Sequence, residues 1–506
     1  MVRPSTGTIY WGRSFLPFDG SVDPIADAGI HVSAGAAQVD DVGPVTELRA
    51  RHLGANEIGG RHRVLMPGLI DAHQHGRAIT PADQGCWDET LELWLLEQRG
   101  LDRPDPALSA RVAAIRSLLG GVTTVVHPHV TVASDQRLAE AERVVASYQT
   151  SGIRVTYGLD VRDRASYTYD DDSAFLSALP PGLRAEVERL LPGTQTVETE
   201  ALEHELTALQ QRVEGSLVEI ALAPRGPQWC SAGLLEWVAD ASRRGTSVQI
   251  HCAETLAQYA WFAERNDTPV QFLHRHGLLS SATTLAHCVW LDETDLRLVS
   301  ESGARVAHNP TSNLRLQSGH APIGALLSSG VPVGTGTDSV GFGQLPDLFG
   351  EIRLGRWLEN LDQRRTGRTP ATALHDALRF GAAAANQRCE LGRLATGAEA
   401  DLILLDWSKL VSGGAGDHLT EEAATLVAEH ATRSHVTDVV VGGRHVVSGG
   451  RYLPADQDEL ERAFTEHVAR LKPRNAHGRT VAALRPYVAR EIERLHATAA
   501  DLRFIR

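Results

Sequence analysis

His73 and His75 stand one residue apart at the end of an apolar run, Leu65-Met66-Pro67-Gly68-Leu69-Ile70-Asp71-Ala72-His73-Gln74-His75-Gly76. Extended backbone sends alternate side chains to the same face, so the two imidazoles point together. Two imidazoles on one face suit a transition metal. A His-x-His also occurs in packed cores, so its meaning depends on what else the chain brings there. Other positions share its character, a histidine or carboxylate closing a β-branched apolar run. His127-Pro128-His129 ends Val122-Thr123-Thr124-Val125-Val126, His251 ends Ser247-Val248-Gln249-Ile250, and His287 ends Thr283-Thr284-Leu285-Ala286. His308 ends Arg305-Val306-Ala307, and Asp338 follows Val331-Pro332-Val333-Gly334.

His73, His75, His251 and Asp338 together make an imidazole-rich set with one carboxylate. Such a set suits Zn²⁺ or Fe²⁺ and leaves a position open for water. A metal there lowers the pKa of that water and supplies a nucleophile near neutral pH. A protein group must then take the water proton and pass it to the leaving group. Glu254, three residues past His251, is the candidate. His287 is the candidate for orienting the nucleophile and stabilising charge, with a place as a fifth ligand as the alternative.

These residues need a scaffold that gathers strand ends. The apolar runs above, with Ile153-Arg154-Val155-Thr156-Tyr157 and Leu217-Val218-Glu219-Ile220-Ala221-Leu222, make eight strand-like segments counting the His73 run. Helix-like stretches lie between most of them, including 135–147, 234–244 and 293–302. Alternation of this kind predicts an α/β fold, a (β/α)8 barrel, in which catalytic residues sit at the carboxyl ends of strands. Short β segments with turns fill the first 64 residues. Similar text returns at Ala400-Asp401-Leu402-Ile403-Leu404-Leu405-Asp406 and Val436-Thr437-Asp438-Val439-Val440-Val441. The expected organisation is a first β-sandwich part over 1–64, the barrel over 65–390, a second sandwich part over 391–453 and a helical tail over 454–506.

Composition narrows the function. The chain has 506 residues, 42% hydrophobic and 22% charged, as in ordinary soluble enzymes. A net charge of −14 with no basic stripe argues against nucleic-acid binding. No apolar run approaches a membrane span. The opening residues, Met1-Val2-Arg3-Pro4-Ser5, lack the apolar core of a signal peptide. Cys86, Cys230, Cys252, Cys288 and Cys389 are scattered, which predicts reduced thiols and a cytoplasmic protein. Lysine occurs only at Lys409 and Lys472. Some metal hydrolases with this barrel bridge two metals through a carbamylated lysine. The barrel segment here has none, so one divalent metal per chain is expected, zinc ahead of iron.

The combined motifs resemble the amidohydrolase superfamily, nearest its branch of S-adenosylhomocysteine deaminases, guanine deaminases and triazine hydrolases. The matching pieces are Pro67-Gly68-Leu69-Ile70-Asp71-Ala72-His73-Gln74-His75, His251-Cys252-Ala253-Glu254, Leu285-Ala286-His287-Cys288, His308-Asn309-Pro310-Thr311-Ser312-Asn313-Leu314 and Gly334-Thr335-Gly336-Thr337-Asp338. The resemblance implies metal ligands at His73, His75, His251 and Asp338, a proton shuttle at Glu254 and His287 beside the reacting water. It also implies substrate contact at His308. The expected activity is hydrolytic deamination of an amino-substituted N-heterocycle. Hydrolysis of a cyclic amide or of a ring chloro or alkylamino substituent is the alternative, and a non-catalytic scaffold of the same fold the third reading. The expected partners are a small-molecule substrate and further copies of the chain, as a homodimer or larger homo-oligomer.

Some text departs from that branch. His127 and His129 are candidates for substrate binding, or for packing behind the site. The branch often carries a histidine after strand four. Here Ala223-Pro224-Arg225-Gly226-Pro227-Gln228-Trp229 makes Arg225, Gln228 and Trp229 its possible replacements. Ser339-Val340-Gly341-Phe342-Gly343 also departs. The insertion from Arg162 to about Gly215 carries Tyr167-Thr168-Tyr169-Asp170-Asp171-Asp172. It reads either as an acidic, aromatic lid favouring a cationic or aromatic ligand, or as a solvated acidic run. The Cys86 to Leu95 loop, with Trp87 and Trp94, is a pocket wall or packing core. The tail is expected to pack on the barrel exterior or across a dimer interface.

Overall fold

The computed structural model describes residues 7–131, 136–164, 167–191, 198–339, 345–362, 367–411, 420–471 and 477–505. Lys472 and the text at 340–343 lie outside them, as do parts of the 162–215 insertion. Strands β1 (Gly7–Phe15), β2 (Ile25–Ser33), β3 (Asp41–Pro44) and β4 (Asn56–Pro67) open the chain. The next eight are β5 (Leu69–Asp71), β6 (Val122–Pro128), β7 (Arg154–Val161), β8 (Val218–Pro224), β9 (Val248–Cys252), β10 (Thr283–His287), β11 (Arg305–His308) and β12 (Val333–Thr335). They pair in sequence order as one eight-stranded parallel sheet, with helices between, in a (β/α)8 barrel. Strands β6 and β7 are buried at every position, which is why they read as near-continuous apolar runs.

The last strands are β13 (Leu402–Asp406), β14 (Val436–Val441), β15 (Arg444–Ser448) and β16 (Arg451–Tyr452). They join the first four in a separate mixed sheet, ordered β16-β15-β14-β13-β4-β1-β2-β3. The two chain ends thus build one unit around Phe15, Ile30, Leu65, Leu402, Leu404 and Val440. Arg154 on β7 ties this sheet to the barrel, with Nε 3.0 Å from Asp401 and a terminal nitrogen 2.7 Å from Glu399.

The apolar run before His73 is not one strand. Leu65–Pro67 pairs with β13, whereas Leu69 pairs with β6, so the chain passes from one sheet to the other at Gly68. A β-carbon on Gly68 would lie 2.2 Å from Thr123 Cγ2 and Oγ1. Thr123 is stiff and itself buried. Gly68→Ala is therefore expected to cost about 1–3 kcal/mol through overpacking, read as a lowered denaturant midpoint at unchanged slope.

The insertion after β7 forms helices over Asp172–Ser177, Pro181–Leu190 and Thr199–Val213. The tail contributes Gln457–Ala469 and the long helix Gly478–Thr498. Val481, Leu484, Val488 and Ile492 of the long helix pack with Tyr167, Tyr169, Leu176 and Trp261. The tail thus braces the insertion over the carboxyl face of the barrel.

Candidate active site

The barrel closes at the residues that carry its chemistry. The Ala72 amide donates to Thr335 O (2.9 Å) and the Asp338 amide to His73 O (2.8 Å), and Gln74 bridges Asp338 in parallel. Beneath the seam, buried Asp71 accepts from the amides of His73 (3.2 Å) and Thr337 (3.0 Å) and from Thr337 Oγ1 (2.6 Å). The loops that carry His73 and Asp338, after the first and last barrel strands, are thus held by one carboxylate. Asp338 and His287 take positive φ, +53° and +77°, which side-chain-bearing residues rarely adopt.

His73, His75 and Asp338 place one ligand atom each within 4.8 Å of one another, and so do His73, His251 and His287. His75 Nε2 lies 3.3 Å from Asp338 Oδ1 and 3.4 Å from His251 Nε2. The far ring nitrogens are held by acceptors. His73 Nδ1 pairs with Gln249 Oε1 at 2.9 Å and His75 Nδ1 with Pro128 O at 2.8 Å. An acceptor there requires the proton on Nδ1 and leaves Nε2 as a lone-pair donor facing the cluster. His73 Nε2 is buried without a hydrogen-bond partner among the described residues. Burial pushes the His73 pKa down to about 3 and that of His251 well below the usual range, so both rings stay neutral. Burial works against the charge on Asp338. His75 Nε2, 3.3 Å from its Oδ1, and the neighbouring imidazoles outweigh it and hold its carboxyl well below the usual range. Neutral imidazoles, an ionised carboxylate and an orphaned buried nitrogen fit a divalent cation.

Glu254 Oε1 sits 3.7 Å from His287 Nε2, and His287 Nε2 is 4.0 Å from Asp338 Oδ2. Burial raises the Glu254 pKa to about 7, against the pull of His287. A carboxyl near neutrality can both accept and return a proton. His287 Nδ1 pairs with Asn313 Oδ1 at 2.7 Å, which aims Nε2 at the space between Glu254 and Asp338. Ser312 Oγ donates to Asp338 Oδ2 at 2.6 Å.

A cavity of about 500 Å³ opens on this centre, with His75, His251, Glu254 and Asp338 in its wall. Arg225 and Trp229 line it. Arg225 is paired with Asp160, Nε to Oδ1 at 2.8 Å. Gln228 points elsewhere. It accepts from Gln258 Nε2 at 2.6 Å, and Gln258 Oε1 accepts the Glu254 amide at 2.8 Å, so Gln228 braces the Glu254 loop rather than facing the cavity. His308 is also outside that wall. It is buried near His287 and against Gly355, with neither ring nitrogen bonded among the described residues. His127 and His129 line a smaller side cavity behind Arg77. His127 Nδ1 meets Tyr148 Oη at 2.7 Å and His129 Nε2 meets Glu140 at 2.7 Å.

The acidic lid is corrected in part. Tyr167, Thr168 and Tyr169 do face the cavity. Asp170 turns outward to Trp261 Nε1 and Arg265, each 2.8 Å away, and exposed Asp171 caps the helix that follows. Trp94 is both cavity wall and packing core with Cys86, Leu91 and Leu316, whereas Trp87 is exposed.

Sequence reasoning missed Asp71 and Gln249. Their signal was there, since each precedes a site histidine by two residues and so shares its strand face. Gln249→Leu removes the acceptor that orients His73, and metal affinity is expected to fall about 10–100-fold in a competition titration against a chelator. Gln98, Arg77, Arg103, Arg162 and His477 also went unnoticed, and of these only Arg162 stands at a strand end.

The profile of the amidohydrolase family matches residues 64–446. A 5-methylthioadenosine/S-adenosylhomocysteine deaminase of Syntrophobacter fumaroxidans is 31% identical over 448 residues, 86% of this chain and 92% of the relative. A 5′-deoxyadenosine deaminase of Methanopyrus kandleri is 29% identical over 426 residues, 81% of this chain and 88% of the relative. Among solved structures, an adenosine deaminase from Xanthomonas campestris with bound zinc superposes with a TM-score of 0.76 at 23% identity, covering 92% of this chain and 99% of that one.

Proposed function

The chain belongs to the amidohydrolase family, and on that footing we propose that it is a metal-dependent hydrolase that deaminates an amino-substituted N-heterocycle and releases ammonia. The observation that carries the reading is the convergence of His73, His75, His251 and Asp338 with Glu254 and His287 at the floor of one cavity. The deaminase names of the relatives support the bond class. His73, His75, His251 and Asp338 would hold one divalent ion, zinc in our reading. Bound there, it would act as a Lewis acid and lower the pKa of a water into the neutral range.

The residues' own work follows from their placement. His287 Nε2 steers the attacking water toward the ring carbon. A carboxylate oxygen of Glu254 takes the water proton as the carbon–oxygen bond forms, the π pair of the ring C=N moves onto the adjacent ring nitrogen, and the ring carbon becomes tetrahedral. Glu254 then gives the proton to the exocyclic nitrogen, because the amine leaves only when protonated. The pair on the ring nitrogen restores the double bond as the carbon–nitrogen bond breaks and ammonia departs, and the remaining hydroxyl proton moves to that ring nitrogen to leave a ring carbonyl. Trp229, Tyr167 and Tyr169 supply flat apolar surface on which a heterocycle can stack.

The test is a screen of amino-heterocycles, cyclic amides and chlorotriazines with the metal-loaded enzyme, read as ammonia or other product release. Ammonia from one or more amino-heterocycles is the expected result. A cyclic amide opened to an acid, with no ammonia from any amino-heterocycle, would move the reaction to amide hydrolysis.

A further inference from the structure

The wall above the metal centre is cationic. Arg77, Arg99, Arg103, Arg137, Arg162 and Arg225 all line the cavity. The carboxylates in that wall outside the centre are Glu92 and Asp160. Glu92 is engaged by hydroxyls, those of Tyr169 and Thr255. Asp160 is committed to Arg225, and Arg137 is satisfied by Glu205 behind the wall. Arg77 donates to the neutral Gln98 Oε1 at 2.7 Å.

Arg103 and Arg162 stand apart. Neither forms a hydrogen bond or ion pair with a protein group among the described residues. Arg103 is exposed by accessible surface, and part of that surface is cavity wall. Burial first, and then Arg225, depress the Arg162 pKa to about 9 against the pull of Asp160, and Arg103 has Arg77 and Arg225 as cationic neighbours. A recess lined by six arginines, with Asp160 committed to Arg225 and Glu92 to hydroxyls, holds more positive than negative charge, and such a surplus of like charge adds nothing to stability. Such a recess is suited to an anion, and guanidinium is the side chain whose planar donors match carboxylate and phosphate oxygens. Neither arginine lies in a motif shared with the family resemblance, and Arg162 follows directly on β7, at the face where substrate enters.

We propose that the substrate is an amino-heterocycle bearing a dianionic tail, a phosphate or a pair of carboxylates, bound in the active-site cavity by Arg103 and Arg162. This rests on the deaminase reading for the ring and adds the chemistry of the group attached to it. The tail balances the two unpaired charges, while the ring lies toward Glu254 and the metal ligands. Arg225 stays paired with Asp160 in the cavity wall.

The test uses matched pairs on the metal-loaded full chain. Adenosine monophosphate is compared with adenosine, and an adenine carrying a malonate tail with its dimethyl ester. Binding is measured by calorimetry and ammonia release by a coupled assay. Arg103→Gln, Arg162→Gln and the double variant are run beside Arg103→Lys and Arg162→Lys, each checked for an unchanged Tm. At least one charged compound is expected to bind about 10–100-fold more tightly than its neutral partner. That preference should fall in each glutamine variant, vanish in the double one and return in part with lysine. The phosphate and malonate pairs identify which oxyanion is meant. Equal binding within both pairs, or a preference that survives the double glutamine variant, would overturn the proposal. If no compound yields ammonia while the charge preference holds and depends on both arginines, the anion subsite stands and the deaminase reading falls.

Discussion

Glu254→Gln should leave the metal in place and remove most of the turnover. Glutamine keeps the size of the side chain and cannot carry a proton. Glu254 faces His287 at 3.7 Å and its amide is anchored by Gln258, so the substitution should change chemistry without moving the loop. General acid–base groups typically contribute about 10²–10⁴-fold, and kcat is expected to fall by that order. Elemental analysis of the same preparation separates the roles. A variant with normal metal content and near-normal rate would remove Glu254 from the mechanism, whereas metal loss would make it a ligand.

His251→Ala should empty the centre. With His251 gone, the cluster keeps His73, His75 and Asp338 and loses the imidazole that sits 3.4 Å from His75 Nε2. Wild-type protein is expected to hold about one equivalent of divalent metal per chain, and the variant only traces after dialysis. Activity should fall with the metal and return in the wild type, not the variant, when zinc is added to chelator-treated protein. Two tightly held equivalents in the wild type, both needed for activity, would contradict a single-metal centre. Among the described residues lysine occurs only at Lys409, in the short helix after β13 and outside the barrel.

Glu254 and His251 were visible in the chain for the same reason that the barrel was. Each barrel strand is a short β-branched run, and the residues just past such runs share one face of the fold. Local periodicity therefore placed His73, His75, His251, His287 and Asp338 at one rim before any contact was known. The same logic failed where a loop sets the direction of a side chain. Gln228 sits in the right loop and turns to Gln258. The His308 run ends at the barrel rim too, yet its ring is buried outside the main cavity wall. Asp170 and Asp171 belong to an acidic run whose tyrosines, not its aspartates, face the cavity.

Sequence alone thus sufficed for the fold class and the separate sheet built from both chain ends, and it brought the candidate metal-holding residues to neighbouring strand ends, because each depends on a period of two or on the types of residue at strand ends. Tertiary structure decided the rest. The seam between the first and last barrel strands depends on Asp71 reaching Thr337 across 266 positions of chain. The roof depends on a C-terminal helix packing on Tyr167 and Tyr169. The charge of the cavity depends on which arginines find a carboxylate, and among the described residues Arg225 forms an ion pair where Arg103 and Arg162 do not. Pairings so distant leave no local pattern, since a salt bridge is set by where two backbones meet and not by the spacing of residues along either.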